Sequence, residues 1–238
     1  MLNPSPVIQA ALIEEGRYCL VVDDFLADPQ AMVARAVARR DAFRAAPVNC
    51  YPGIEQPMWP EFDQAMAAFF DAHIAPAFGA VQALGLNTRM SIVTLKPEQL
   101  MPQQRICHRD ARECAPGEGA VASVLYLFGN ERMGGTSFYR PRRHPLEIDH
   151  LLHQARHMDN DAFSRVLGAP PQYYNGDERY FEKLGSMPAK WNRAIFYDAT
   201  IFHTGQIDVP ELLVEDPAEG RLTINAFIRY RHSRHWRE

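Results

Sequence analysis

Apolar residues recur at helical spacing in two stretches of the first third of the chain and alternate with polar ones through most of the rest. Residues 18–23, YCLVVD, read as a strand. Asp28 and Pro29 then supply an acidic N-cap and a proline at the first helical position. They predict a helix running to about Phe43, with Met32, Val33, Ala36 and Val37 on one face. A loop containing Pro and Gly is expected from Ala46 to Trp59. Pro60 opens a second helix, in which Phe62, Met66, Phe69, Phe70 and His73 or Ile74 recur every three or four residues. That aromatic stripe reads as core packing, and His73 as a helix-side residue.

From Arg89 the period changes to two. RMSIVTLKP alternates and ends as a strand at Pro97. VASVLYLF (121–128) is nearly all apolar, so it is expected to be buried on both faces. TSFYRP (136–141), NRAIFYDA (192–199) and RLTINAFIRYR (221–231) complete the series. Many short strands broken by Gly and Pro predict a sandwich or barrel, with the two helices on one outer face of the sheet. Between Pro141 and Lys190 the texture differs. One or two helices, a break at Pro170–Pro171 and a short helix near Glu178 to Leu184 are expected there. This stretch reads as an insertion over one end of the strand core. A single domain over 1–238 follows: a strand and helix region over 1–88, a core from 89–140 and 191–231, and a helical insertion over 141–190.

Composition narrows the partners. The formal net charge is -4, without a basic excess, so nucleic acid is not an expected partner. Arg229 to Glu238 carry several basic residues and read as a solvated chain end. No apolar run reaches membrane-spanning length, and no basic segment followed by an apolar one marks a signal peptide. Cys19, Cys50, Cys107 and Cys114 show no CxxC and no disulfide-scaffold spacing. The expectation is a reduced, cytoplasmic protein. Oligomeric state has no signature.

Candidate chemistry concentrates between residues 105 and 140. His108 and Asp110 are separated by one residue, and on a strand end such a pair aims at one point. They are two-thirds of the 2-His-1-carboxylate triad, which leaves open positions on iron. His203 lies downstream in IFHTG. On the last strand Arg221, Thr223 and Asn225 alternate with Leu222, Ile224 and Ala226. If the apolar face meets the helices, Arg221 points inward and needs an anion, because an unpaired buried charge is costly. A dicarboxylate co-substrate fits a guanidinium fork; so does a structural pair with Asp or Glu. A rival metal site is Glu147, His150, His153 and His157 on one helical face, whose plainer reading is a solvated face. No GxSxG or GxxxxGK occurs, and Gly117 and Gly119 in APGEGA make a turn.

In order, the chain holds His108-Arg109-Asp110, the SVLYLF strand, GGTSFYRP, His203 and Arg221-Leu222-Thr223. That succession resembles the iron(II)- and 2-oxoglutarate-dependent dioxygenases, particularly the prolyl-4-hydroxylase-like branch. VVDDFLADP is similar to the branch's opening strand and helix. The resemblance covers roughly residues 18–231 without the insertion. It implies an α+β fold built on a double-stranded β-helix (jelly-roll) core, with the N-terminal helices packed on one sheet. It further implies Fe(II) on His108, Asp110 and His203, and 2-oxoglutarate on Arg221 with Thr223 beside it. Tyr126 is the nearest candidate for the tyrosine that family members add, unless Leu125 takes the inward position. No catalytic residue beyond the metal ligands is implied. The substrate would be an amino acid, a peptidyl side chain or a small metabolite. Two other functions stand beside this one. A catalytically silent binding or sensing jelly roll would have no reason to keep all four site residues. A cupin-type metalloenzyme would not need the Arg221-x-Thr223 anchor. The insertion departs from the compact family pattern and is expected to line or cover the substrate mouth.

Overall fold

Two antiparallel sheets pack face to face, and helices cover the far side of the larger one. The computed structural model describes residues 1–45, 51–176 and 178–233. Its elements begin with β1 (Ile8–Glu14), β2 (Arg17–Val22), α1 (Pro29–Ala38), β3 (Arg44–Ala45), β4 (Gly53–Pro57), α2 (Pro60–Phe69) and β5 (Ala80–Val93). They continue with β6 (Glu118–Tyr126), β7 (Thr136–Pro141), α3 (Pro145–His157), α4 (Asn160–Leu167), β8 (Phe181–Met187), β9 (Arg193–Asp198), β10 (Phe202–Gly205) and β11 (Arg221–His232). Among the described residues the larger sheet runs β1-β2-β9-β6-β11-β5-β4-β3 and the smaller β10-β7-β8.

Strand alternation sorts side chains between two cores. Val121 and Leu125 of β6, Ala194 and Phe196 of β9, and Leu222, Ile224, Ala226 and Ile228 of β11 face the helices. There they meet Met32 and Ala36 of α1 and Phe62, Met66 and Phe69 of α2. The intervening residues face the smaller sheet. Ala122, Tyr126, Ile195 and Tyr197 form that second core with Phe138 of β7. The expected burial of β6 on both faces therefore holds, and Leu125 is the residue that faces the helices. Thr223 lies opposite both Tyr126 and Ser91 in the sheet, so the polar face of β11 looks into the space between the sheets.

Several expected elements differ. The first helix is capped by Asp28, whose Oδ1 accepts from the Ala31 N–H at 2.9 Å, but it stops at Ala38. A tighter turn over Arg40–Ala42 follows, and Phe43 reaches the core from that turn. The expected loop from Ala46 to Trp59 contains β4, which pairs with β5; residues 46–50, including Cys50, lie outside the described residues. β5 starts at Ala80 rather than Arg89. The short helix expected near Glu178 to Leu184 is instead β8, paired with β7 so that Phe181 stands opposite Pro141. Sheet pairing and burial of Phe181 override the local preference of a charged segment. The insertion is therefore helical only through α3 and α4, and its final part belongs to the smaller sheet. Residues 229–232 of the expected chain end are strand, and 234–238 lie outside the described residues. No described helix is long and apolar enough to cross a membrane.

Candidate active site

His108 and Asp110 sit just before the turn into β6, and His203 is the second residue of β10. The HxD does not end a regular strand as expected. An isolated bridge joins His108 to His203, and the Asp110 N–H donates to the Ala199 carbonyl at 3.1 Å. These main-chain contacts turn three side chains toward one point. One ligand-capable atom from each lies within 4.8 Å of the other two. His203 Nε2 is 3.2 Å from Asp110 Oδ2, and His108 Nε2 is 3.6 Å from Asp110 Oδ1. The Asp110 main chain is open to solvent, but its side chain is only 14% exposed. Burial opposes its charge; His203 and His108 outweigh burial and hold the carboxyl well below the usual range. His203 is likewise raised above the ordinary imidazole value: burial pulls it down, and Asp110 more than compensates. His203 Nδ1 is 2.9 Å from the Ile201 carbonyl oxygen, which assigns the N–H to Nδ1 and leaves Nε2 as the free lone pair. Tyr197 packs edge-on against the His203 ring, with centroids 4.8 Å apart.

Arg221, at the start of β11, is almost fully buried. Its Nε donates to the Met133 and Gly134 carbonyls at 3.0 and 3.2 Å, and Nη2 to those of Gly134 and Gly135 at 3.1 and 2.8 Å. The Gly134–Gly135 turn makes this possible. Gly134 adopts φ +80°, and a Cβ there would collide with the Gln206 carbonyl, as one on Gly135 would with that of Met187. Among the described residues no carboxylate pairs with Arg221. Nη1 stands outside the carbonyl bonds, and the guanidinium lies over Phe128 and Tyr126, 5.5 and 6.0 Å from their ring centroids.

One cavity of about 320 Å³ is lined by His108, Asp110, His203, Arg221 and Thr223. Of the two alternatives, Tyr126 rather than Leu125 faces the space between the sheets, but it does not line the cavity. Its hydroxyl bonds Thr136 Oγ1 at 2.8 Å, and Thr136 takes the lining position. Sequence reading missed Tyr51, whose phenol faces Thr223, Ser91 and Arg221, because it stands in an apparent loop. It also missed Arg156, which together with Tyr173, one of the aromatic residues of the insertion expected at the mouth, brings the insertion onto the cavity wall. The rival histidine face does not converge: His153 and His157 stack at 4.1 Å, and His157 Nδ1 lies 2.8 Å from the His153 carbonyl oxygen. Among the described residues, only His108, Asp110 and His203 cluster as metal-capable groups. Cys107 is buried, and Cys114 lines a separate cavity.

The sequence matches no curated protein. Among solved structures it is similar to SnoK, a non-haem α-ketoglutarate-dependent carbocyclase from nogalamycin biosynthesis. Identity there is 11% and the TM-score 0.50, over 91% of this chain and 83% of that one. It is also similar to a Pseudomonas putida prolyl-4-hydroxylase (15% identity, TM-score 0.49, 91% and 95% covered). A Phytophthora capsici prolyl 4-hydroxylase aligns at 14% identity and TM-score 0.46 over 90% of this chain, which spans only 58% of that structure. At such identities the likeness speaks to the fold alone. The model of a protein family, DUF6445, whose function is unknown, matches residues 4–228, and the chain belongs to that family.

Proposed function

We propose that this chain is an Fe(II)- and 2-oxoglutarate-dependent oxygenase that hydroxylates an amino acid, a peptidyl side chain or a small metabolite on a jelly-roll frame. The observation that carries the reading is one cavity bordered at once by the His108, Asp110 and His203 cluster and by a buried arginine that has no acidic partner among the described residues. Two imidazoles and a carboxylate suit a divalent iron that keeps open positions. His108, Asp110 and His203 would hold Fe(II), and Arg221 with Thr223 would take the distal carboxylate of 2-oxoglutarate. When bound, iron and 2-oxoglutarate would let dioxygen act as the oxidant: 2-oxoglutarate would supply two electrons and leave as succinate and carbon dioxide, one oxygen atom going to succinate and the other into a substrate C–H bond.

The protein's share is binding, orientation and exclusion of water. The Ile201 carbonyl fixes the His203 tautomer. The carbonyls of residues 133–135 fix the guanidinium plane, so that Nη1 is the donor offered to an incoming carboxylate. Phe138 and Tyr197, centroids 5.0 Å apart, close the floor beside His203 against water.

Calorimetric titration of the metal-stripped protein with Mn(II), followed by 2-oxoglutarate, tests the reading. One metal and one co-substrate per chain are expected, with the co-substrate requiring Arg221. With Fe(II) in air, slow succinate release should follow. An absence of 2-oxoglutarate binding to the metal-loaded protein would overturn it.

A further inference from the structure

Six charged side chains border the cavity: Glu55, Arg89, Arg109, Asp110, Arg156 and Arg221. Glu55 and Arg89 pair with each other at 3.5 Å. Asp110 lies between the two imidazoles, and Arg221 is fixed by three carbonyls. Arg109 and Arg156 remain, and no described carboxylate lies within ion-pair distance of either.

Both are positioned by the same packing that builds the site. Arg109 follows His108 and Phe202 precedes His203, so the bridge between the histidines makes 109 and 202 cross-strand neighbours. The Arg109 guanidinium lies over the Phe202 ring, 4.6 Å from its centroid. Stacking fixes the plane of the fork and leaves its edge donors unused. Arg156 is in the last turn of α3. That helix buries Leu151 and Ala155 against Ile106 and Cys107, the residues leading into His108. Docked there, α3 holds Arg156 at the exposed rim of the cavity. Two guanidinium forks from different elements thus border one mouth, beside the histidine cluster.

We infer that the molecule oxidised here is a small anion whose carboxylate or phosphate is held by Arg109 and Arg156. The inference rests on the oxygenase reading and narrows its substrate. A cavity of about 320 Å³ lies at the lower end of small-molecule pockets and must also hold the co-substrate. The anionic group therefore stays at the rim, and only a short stem reaches inward. A neutral ligand closed over Arg109 would leave a half-buried cation without a counter-charge.

The test begins with Zn(II)-loaded protein saturated with 2-oxoglutarate, both binding events being measured first. Four probe sets are then screened by thermal shift: N-acetyl amino acids, sugar phosphates, neutral sugars and amides, and polyamines. The best ligand is titrated against the parent, Arg156→Gln, Arg156→Lys and Arg109→Gln. Stabilising ligands should come from the carboxylate or the phosphate set, and which set responds identifies the anion. Arg156→Gln and Arg109→Gln should each weaken binding by about tenfold or more, and Arg156→Lys should recover most of that loss. Zinc and 2-oxoglutarate affinities of the Arg156 variants should stay within about threefold of the parent. Ligands found only among the neutral or cationic probes, no anionic ligand at all, or an anion that Arg156→Gln binds as well as the parent does would each overturn the inference. Failure of the parent to bind zinc and 2-oxoglutarate in the first step rejects the oxygenase reading instead.

Discussion

His108 and His203 exchange two backbone hydrogen bonds, 3.0 and 2.8 Å long, and their rings lie 4.6 Å apart. Residues directly opposite in such a pair present their side chains to the same face. The spacing of the two imidazoles is therefore set by main chain.

Asp110→Ala should then abolish metal binding and leave the fold in place. The bridge between the histidines does not involve that carboxylate. Circular dichroism should be unchanged, and calorimetry with Mn(II) should show no uptake. A variant that unfolds would mean that the Asp110 side chain also holds the frame.

The pH dependence should reverse between the metal-free and metal-bound protein. His203 has a raised pKa in the fold, so its contribution is complete below the unfolded value of about 6.5 and fades as pH rises through the folded value. The metal-free protein should lose stability as pH rises from about 6.5 into the weakly alkaline range. Metal needs the unprotonated ring, so metal affinity should rise across the same interval. Melting temperatures of the chelator-treated and Zn(II) forms along one pH series check this. Parallel curves would separate His203 from the metal.

Arg221→Gln should weaken 2-oxoglutarate binding by about 2–5 kcal/mol while metal affinity barely moves. It also leaves buried carbonyls at 133–135 short of donors, at a cost of about 1–3 kcal/mol in stability. Arg221→Lys separates the two effects, because it keeps the charge and loses the fork. Unchanged 2-oxoglutarate affinity in the Gln variant would reassign Arg221 to holding the turn.

Gly134→Ala and Gly135→Ala should each destabilise by about 2–4 kcal/mol, since carbonyl groups occupy the space a Cβ needs. Gly185→Ala, on β8 with nothing near its would-be Cβ, should be neutral or slightly stabilising. Denaturant midpoints compare the three directly. Equal midpoints would show that the turn yields easily and that Arg221 does not depend on it.

Asp23 receives Arg193 Nε at 2.6 Å and Lys190 Nζ at 2.9 Å, and its pKa is lowered to about 2, chiefly by the bond from Arg193. A depressed carboxylate stabilises above its unfolded value and loses that contribution as pH falls through the folded one. Asp23 is a third exposed, so solvent screening reduces the contribution to about 1 kcal/mol. Asp23→Asn should cost that much at neutral pH and progressively less as pH falls toward 2. A constant difference between the two proteins down to pH 2 would point to packing.

The two core helices and the strands around β6, β7, β9 and β11 were legible because apolar periodicity follows burial directly. His108, Asp110, His203, Arg221 and Thr223 were legible as residue types in order, and they do border one cavity. What escaped depends on contacts distant in sequence. β1 is an edge strand with several exposed positions, so its alternation is faint. β8 looks helical until β7 offers it a partner. Tyr51 and Arg156 carry no local signal, since their position comes from the docking of β4 and α3. Strand parity left Tyr126 and Leu125 as alternatives; packing against the helices takes Leu125, and Thr136 stands between Tyr126 and the cavity.

The pairing of Pro141 with Phe181, extended by the Arg142 N–H donating to the Tyr180 carbonyl at 2.8 Å, makes everything from 142 to 180 the loop of one long β-hairpin. Its two ends are neighbours whatever lies between them. Loop-closure entropy grows only logarithmically with length, about 0.6 kcal/mol for each doubling. Changes in loop length are therefore cheap in chain entropy, but Ile148, Leu151, Ala155 and Phe163 of the two helices pack on Ile106, Cys107 and Phe202 beside the histidines, so that buried face must be kept. Joining sites at 141 and 181 keep β8 in place, whereas a cut at 190 would strip β7 of one of its two partners. On the proposed reading, the exposed face of the insertion can diverge while its buried face stays tied to the strands that carry His108 and His203.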